Sequence, residues 1–165
     1  MAIRIARKED MPGLVEIYNQ AIAAGHKTAD TEPVTVEGRT AWFENHPPDK
    51  YPVLVYEDGS SILGYLEISA YRPGRMAVRH TAEASVYIHF SHHRKGIASA
   101  LVRYAVGICP ALQLKTLIAI VLETNQASIR HLEKLGFEVW GFLPRIAEFG
   151  GTEVGHMYLG LRIEG

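Results

Sequence analysis

One α/β domain with a mixed β-sheet is the fold class this sequence predicts, and three observations carry the prediction. Apolar residues recur at helical spacing in several separate stretches. Between these stretches lie alternating or continuous apolar runs of strand length. Finally, no linker, repeat or low-complexity tract divides the 165 residues, so a single domain spanning 1–165 is expected.

The elements follow in order. Ile3 and Ile5 alternate with Arg4, a short half-buried strand. Asp10 is placed to cap a helix whose first turn accepts Pro12, with Met11, Leu14, Val15, Tyr18, Ala21 and Ile22 as its stripe and Gly25 as its stop. Thr35 caps a second helix carrying Val36, Arg39, Trp42 and Phe43, which Pro47-Pro48 ends. Val53 to Tyr56 and Ile62 to Leu66 flank the turn Glu57-Asp58-Gly59-Ser60 and predict a hairpin.

After a loop at Arg72-Pro73-Gly74-Arg75, Thr81 to Phe90 alternates, with Glu83, Ser85, Tyr87 and His89 on one face. A helix follows with Ile97, Ala100, Leu101, Tyr104, Ala105 and Ile108 as its stripe. Thr116 to Leu122 is apolar throughout and predicts a buried parallel strand. The next helix starts at or after Asn125 and ends at Leu135, with Gly136 as a left-handed cap. Strands at Phe137–Phe142 and His156–Ile163 complete the chain.

Composition narrows the function. A formal charge of −1 offers no electrostatic footprint for nucleic acid or an anionic membrane. No run approaches the roughly 20 apolar residues of a membrane span. The N-terminus shows no signal peptide, so a cytoplasmic location is expected. The lone Cys109 has no local base or polarising neighbour and reads as packing rather than as a nucleophile. His89, His92 and His93 cluster without a cysteine or carboxylate ligand set, so no metal is expected.

The chemistry concentrates in two segments. Ser85 to Leu101 is a strand, a basic glycine-containing loop, then a helix start. Helix-initial N–H groups have no internal partners and carry the positive end of the dipole, so they suit a phosphate. Gly96 and the small Ala98 let backbone approach a ligand, and Arg94 and Lys95 add charge. The second segment, Asn125 to Phe137, follows the buried strand at the spacing of another ligand-lining element; Asn125 suits either ligand contact or helix capping.

Together these segments resemble the GCN5-related N-acetyltransferase superfamily. His93-Arg94-Lys95-Gly96-Ile97-Ala98 is similar to its pyrophosphate-binding motif, and Asn125 to Gly136-Phe137 to its second motif. The run Arg79 to Ile88, with Tyr18 to Ile22 and Arg39 to Phe43, resembles the phosphinothricin and methionine sulfoximine acetyltransferase branch.

That resemblance implies a central mixed sheet flanked by helices on both faces, and acetyl-coenzyme A as acyl donor. It implies that Val86, Tyr87 and Ile88 face the pantetheine arm like an added strand. His93, Arg94, Lys95, Gly96, Ile97, Ala98 and Ser99 would hold the pyrophosphate, Asn125 the pantetheine, and Lys134 the adenosine phosphate end. Glu83 is implied as the general base. Arg72 and Arg79 would meet a substrate carboxylate, with Thr28 in the loop over the acceptor.

Three positions depart from the pattern. His93 stands where Gln or Arg is usual. Leu132 replaces a Tyr or His proposed to protonate the thiolate, and the adjacent His131 is expected to be turned about 100 degrees away. Phe149-Gly150-Gly151-Thr152-Glu153 lacks the Trp and Asp of the branch. The expected activity is acetylation of a small amino-acid-like primary amine by a homodimer. The alternatives are a coenzyme A-binding sensor without turnover, or acetylation of a peptide amine.

Overall fold

The computed structural model describes residues 1–163. Seven strands form one sheet in the order β1-β2-β3-β4-β5-β7-β6: β1 Ala2–Ile5, β2 Val53–Asp58, β3 Ser61–Ala70, β4 Thr81–Ile88, β5 Thr116–Leu122, β6 Glu138–Phe149 and β7 Thr152–Arg162. Every neighbouring pair is antiparallel except β4 and β5. The sheet is mixed, as the sequence predicts. β5 is parallel to β4 but antiparallel to β7, so only one of its edges matches the parallel strand expected.

Two apolar layers sandwich the sheet. On one face α1 (Met11–Ala24) and α2 (Thr40–Glu44) cover Val53, Val55 and Tyr65, with Leu14 and Ile17 almost wholly buried. On the other, α3 (Ile97–Ile108) and α4 (Gln126–Lys134) bury Leu101, Ala105, Ile129 and Leu132 against Leu54, Leu66, Ile68 and Leu117. Cys109 lies in this second core, its thiol pushed up to about 11 by burial, which fits packing and not nucleophilic use.

Several elements differ from the sequence expectation. Asp10 does not cap α1; its carboxylate accepts from Arg4 Nη1 at 2.7 Å and the Arg7 N–H at 2.7 Å, because a strong cation competes for it. Thr35 Oγ1 does accept from the Gly38 N–H at 3.0 Å, but a 3-10 turn over Glu37–Arg39 precedes the short α2. β4 stops at Ile88 because Phe90–His92 winds into a 3-10 turn. The last two strands are longer than expected. They pair as one hairpin around Gly150 (φ 55°) and Gly151 (φ 84°), which turns Phe149–Glu153 into a hairpin tip.

Candidate active site

The parallel seam between β4 and β5 is short. It pairs only Thr81 with Thr116, Ala82 with Leu117 and Glu83 with Ile118, after which the strands part. The phase of β4 is fixed by its other edge, where the His89 N–H donates to Leu63 O at 2.9 Å and Thr81 O accepts from the Tyr71 N–H at 3.5 Å. Odd-numbered residues therefore bond β3, and the main-chain groups of Val86 and Ile88 point into the gap where no strand meets them. Such an open edge is a template for an extended ligand. A cleft of about 770 Å³ fills the gap, lined by Val86, Tyr87 and Ile88 on one wall and Ala119, Ile120 and Val121 on the other.

At one end of the cleft, Arg94 (φ 60°) and Gly96 (φ 79°) both take left-handed backbone. A side chain at Gly96 would meet no neighbour, so the residue is needed for its φ rather than for room. From Arg94 to Ser99 no main-chain N–H finds an acceptor among the described residues; the first is Ala100, bonded to Gly96 O at 3.0 Å. Consecutive free donors at the positive end of α3 form an anion-binding concavity. His93 turns inward: its Nε2–H donates to Ile88 O at 2.9 Å, which fixes the tautomer and ties the loop to the end of β4.

On the α1–α2 face, cross-strand register groups a set of polar side chains. Tyr65 faces Tyr87, Glu67 faces Ser85, and Ser69 faces Glu83. Burial raises the proton affinity of the Glu83 carboxyl, and the nearby Glu67 raises it further. Burial likewise raises Glu67, against the pull of Arg39 and the Trp42 Nε1–H, which donates to Glu67 Oε2 at 2.7 Å. The Arg39 guanidinium is stacked 4.0 Å from the Trp42 ring centroid and 4.5 Å from that of Tyr18. Tyr18, pushed up to about 12 by burial, bonds Asp30 and the Thr28 hydroxyl. Tyr65 keeps a buried hydroxyl with no partner among the described residues, a donor available inside this cluster.

The sequence-predicted residues are gathered unevenly. Val86, Tyr87, Ile88, His93, Arg94, Gly96, Ile97, Ala98, Ser99 and Asn125 all line the cleft. Asn125 does not cap α4; its side-chain oxygen accepts from Lys27 Nζ at 3.2 Å. Lys95 and Lys134 are exposed and outside the cleft lining, as are Arg72 and Arg79, and the Arg79 guanidinium folds back on Met76 O at 2.9 Å. Leu132 is buried in the core, but His131 is not turned away: it lines the cleft, with Nε2 2.8 Å from Ser99 Oγ. Sequence reasoning missed Glu67, Arg39, Trp42 and Tyr65 as one group. Only the strand alternation of Tyr65, Glu67 and Ser69 could have signalled a second polar-lined face.

A split parallel seam beside a helix-borne anion site is the layout of an acyl-coenzyme A-dependent transferase. The profile of the Acetyltransferase (GNAT) family matches residues 13–137, and the chain belongs to that family. It is 38% identical over 97% of its length to a Bacillus subtilis (strain 168) protein named as a phosphinothricin acetyltransferase, covering 98% of that relative. It is 32% identical over 99% of its length to the L-methionine sulfoximine/L-methionine sulfone acetyltransferase of Pseudomonas aeruginosa, covering 95% of it. The solved structure of an acetyltransferase from Salmonella typhimurium with its cofactor acetyl-CoA superposes with a TM-score of 0.92 at 30% identity, covering all of this chain and 95% of that one. The protein is thus an acetyl-CoA-dependent N-acetyltransferase, and its open strand edge and free α3 amides suit that donor.

Proposed function

We propose that the chain acetylates the primary amine of a small amino-acid-like acceptor, of the kind for which its relatives are named, with Glu83 as general base. One observation carries this reading. Glu83 is the last residue of β4 to pair with β5, so the base stands at the apex of the split and the open donor edge begins just beyond it.

The chemistry follows from the amine. Only a neutral amine has a lone pair to attack a thioester, and an α-amine with a pKa near 8 is about one-tenth neutral at pH 7. A carboxylate of raised proton affinity narrows the gap to the ammonium it must deprotonate. The Val86 N–H, the first amide beyond Glu83 that opens on the same edge, would donate to the oxygen that gains charge during transfer. Pyrophosphate would sit on the Arg94–Ser99 amides and pantetheine along Val86 to Ile88. Leu132 has no proton to give, so the departing thiolate takes its proton from another group or from water.

A small acceptor is favoured over a peptide because the loop after α1 bridges the cleft. His26 Nδ1 lies 3.3 Å from Thr124 Oγ1, and Lys27 reaches Asn125. Thr28 would border the acceptor, and Arg72 or Arg79 would reach its carboxylate only if their loop folds inward on binding. The test is free-thiol release from acetyl-CoA with methionine sulfoximine, methionine sulfone, phosphinothricin, common amino acids and polyamines. Tight donor binding without release for any amine would favour a sensor.

The reading extends to assembly and location. Val139, Trp140, Phe142, Leu143 and Ile146 are exposed along β6, an edge strand, and an apolar edge of this kind suits a second copy of the chain. Light scattering should give twice the chain mass, falling to one for Trp140→Asp. Cytoplasmic work accords with a single buried thiol. No helix among the described residues is long and apolar enough to cross a membrane.

A further inference from the structure

Glu67 lies two residues along β3 from Ser69, and Ser69 is the cross-strand partner of Glu83. The two carboxylates are therefore diagonal neighbours on one face of an antiparallel pair, a spacing of roughly 7–8 Å between backbones. A hydrogen-bonded chain holds Glu67 in place. Trp42 Nε1–H donates to Glu67 Oε2 at 2.7 Å, Trp42 O accepts from His46 Nδ1 at 2.6 Å, and His46 Nε2 lies 2.9 Å from Ser69 Oγ. A carbonyl can only accept, so Nδ1 carries the proton, and the neutral ring takes the Ser69 O–H at Nε2. The chain starts at Glu67 and ends on the residue opposite Glu83. The other Glu67 oxygen takes no hydrogen bond within the described protein.

We infer that Glu67 is a positioning residue for the general base: its carboxylate, pinned by Trp42 diagonally across the strand pair from Glu83, sets a fixed negative charge beside the group that takes the acceptor's proton. This rests on Glu83 being the base.

Every element packed around the pair contributes. Tyr65 is the same-face neighbour of Glu67 on β3, and Tyr87 lies opposite Tyr65 on β4 with Ser85 between it and Glu83. Tyr18 packs on Tyr87 from α1, and Tyr158 on β7 with Tyr71 lies near Glu83 from the other side. Asp30, in the loop after α1, adds negative charge, and Arg39 adds positive charge from the turn before α2. Burial lowers the proton affinity of His46, against the hydrogen bond to Trp42 O and with Arg39 adding to the effect. Among these groups, Arg39 is the only fixed cation. It lies against the Trp42 ring, and its compensation falls on Glu67, while Glu83 feels burial first and Glu67 next. An anion so placed disfavours charge on Glu83 without touching the acceptor amine.

Glu67→Gln tests the inference, because the amide keeps an oxygen for Trp42 and removes only the charge. Two readouts are taken: the pH profile of kcat/KM, and the titration of the Glu83 carboxyl carbon by NMR in protein labelled at glutamate carboxyls, its resonance identified by its loss in Glu83→Gln. Both midpoints should move to lower pH in Glu67→Gln. The KM for acetyl-CoA should hold, and Glu67→Asp, which keeps the charge, should stay near wild type. If Glu67→Gln does not fold, Glu67→Ser removes the same charge. Superimposable NMR midpoints would overturn the inference whatever turnover does. A shifted midpoint alongside a fully active Glu83→Gln would leave the coupling standing and remove Glu83 from the base role.

Discussion

The cleft beside β4 and the polar cluster on the α1–α2 face are built from different materials. In the cleft, the proposed donor side, the groups on offer are main-chain: the open edge at Val86 and the Ile88 N–H, and the amides from Arg94 to Ser99, unpaired among the described residues. In the cluster, the proposed acceptor side, they are side-chain, drawn from α1, the turn before α2, α2, β3 and β4, and coupled through Trp42 and Arg39. A main-chain site tolerates most substitutions provided the backbone keeps its path. A side-chain site changes with each residue that forms it.

The sharpest way to break this contrast is at Gly96. Glutamate there forces a side chain into φ 79° and sets a negative charge beside the amides proposed to hold pyrophosphate. Calorimetry should find no acetyl-CoA binding for Gly96→Glu. Arg94→Ala or Lys95→Ala should weaken binding by less than about tenfold, since each removes only one exposed charge worth about 1 kcal/mol or less. Equal losses in all three variants would mean the site depends on side chains after all.

The next largest effect belongs to the acceptor side. Glu83→Gln should lower kcat by about 10²–10⁴-fold, the usual contribution of a positioned base, and leave acetyl-CoA affinity unchanged. Part of the loss should return at high pH, where the amine deprotonates unaided. Unaltered turnover across pH would show that no carboxylate at the apex of the split handles the proton.

The same difference in materials explains what could be read from the sequence. Gly96, Ala98 and the strand-loop-helix order are local, so the donor side was visible in one run of residues, and the buried Thr116–Leu122 strand and Gly136 (φ 93°) were read the same way. Glu67, Trp42 and Arg39 are separated by up to 28 positions, and only the packing of α2 and its preceding turn on the sheet brings them together. Asp10 misled because capping is judged from neighbours, whereas its true partner, Arg4, comes from another element. His131 misled because a helical step was counted from Leu132 without knowing which arc of α4 faces the cleft.

His93 sharpens the boundary between the two sides, being a side chain that serves a main-chain site. Its Nε2–H secures Ile88 O and so holds the loop against the end of β4. Removing one hydrogen bond of about 1 kcal/mol predicts a KM for acetyl-CoA about fivefold higher in His93→Ala, with kcat little changed. A fall in kcat instead would put the imidazole nearer the reacting atoms than its bond to Ile88 suggests.

The smallest effect concerns what holds the acceptor wall in place. α1 brings Tyr18 to the polar cluster, and the start of α1 is tied to the sheet by Arg4, which bonds Asp10 at 2.7 Å and Glu57 at 2.8 Å. The Arg4 guanidinium holds the Asp10 carboxyl below its ordinary range, despite partial burial. A depressed carboxylate stabilises the fold above its unfolded pKa, and that stability is lost as pH falls through the folded value. Glu83 and Glu67, both raised, act in the opposite sense, favouring the fold at low pH and losing that contribution as pH rises through their folded values. Asp10→Asn should therefore cost about 1–2 kcal/mol at pH 7, or a few degrees in Tm, and the cost should fade toward pH 3 as wild type loses the same bond. Thermal melts across pH 3–8 would read it; a penalty that persisted undiminished in acid would mean that Asp10 acts there by shape alone, and that the tie beneath the acceptor wall is not ionic.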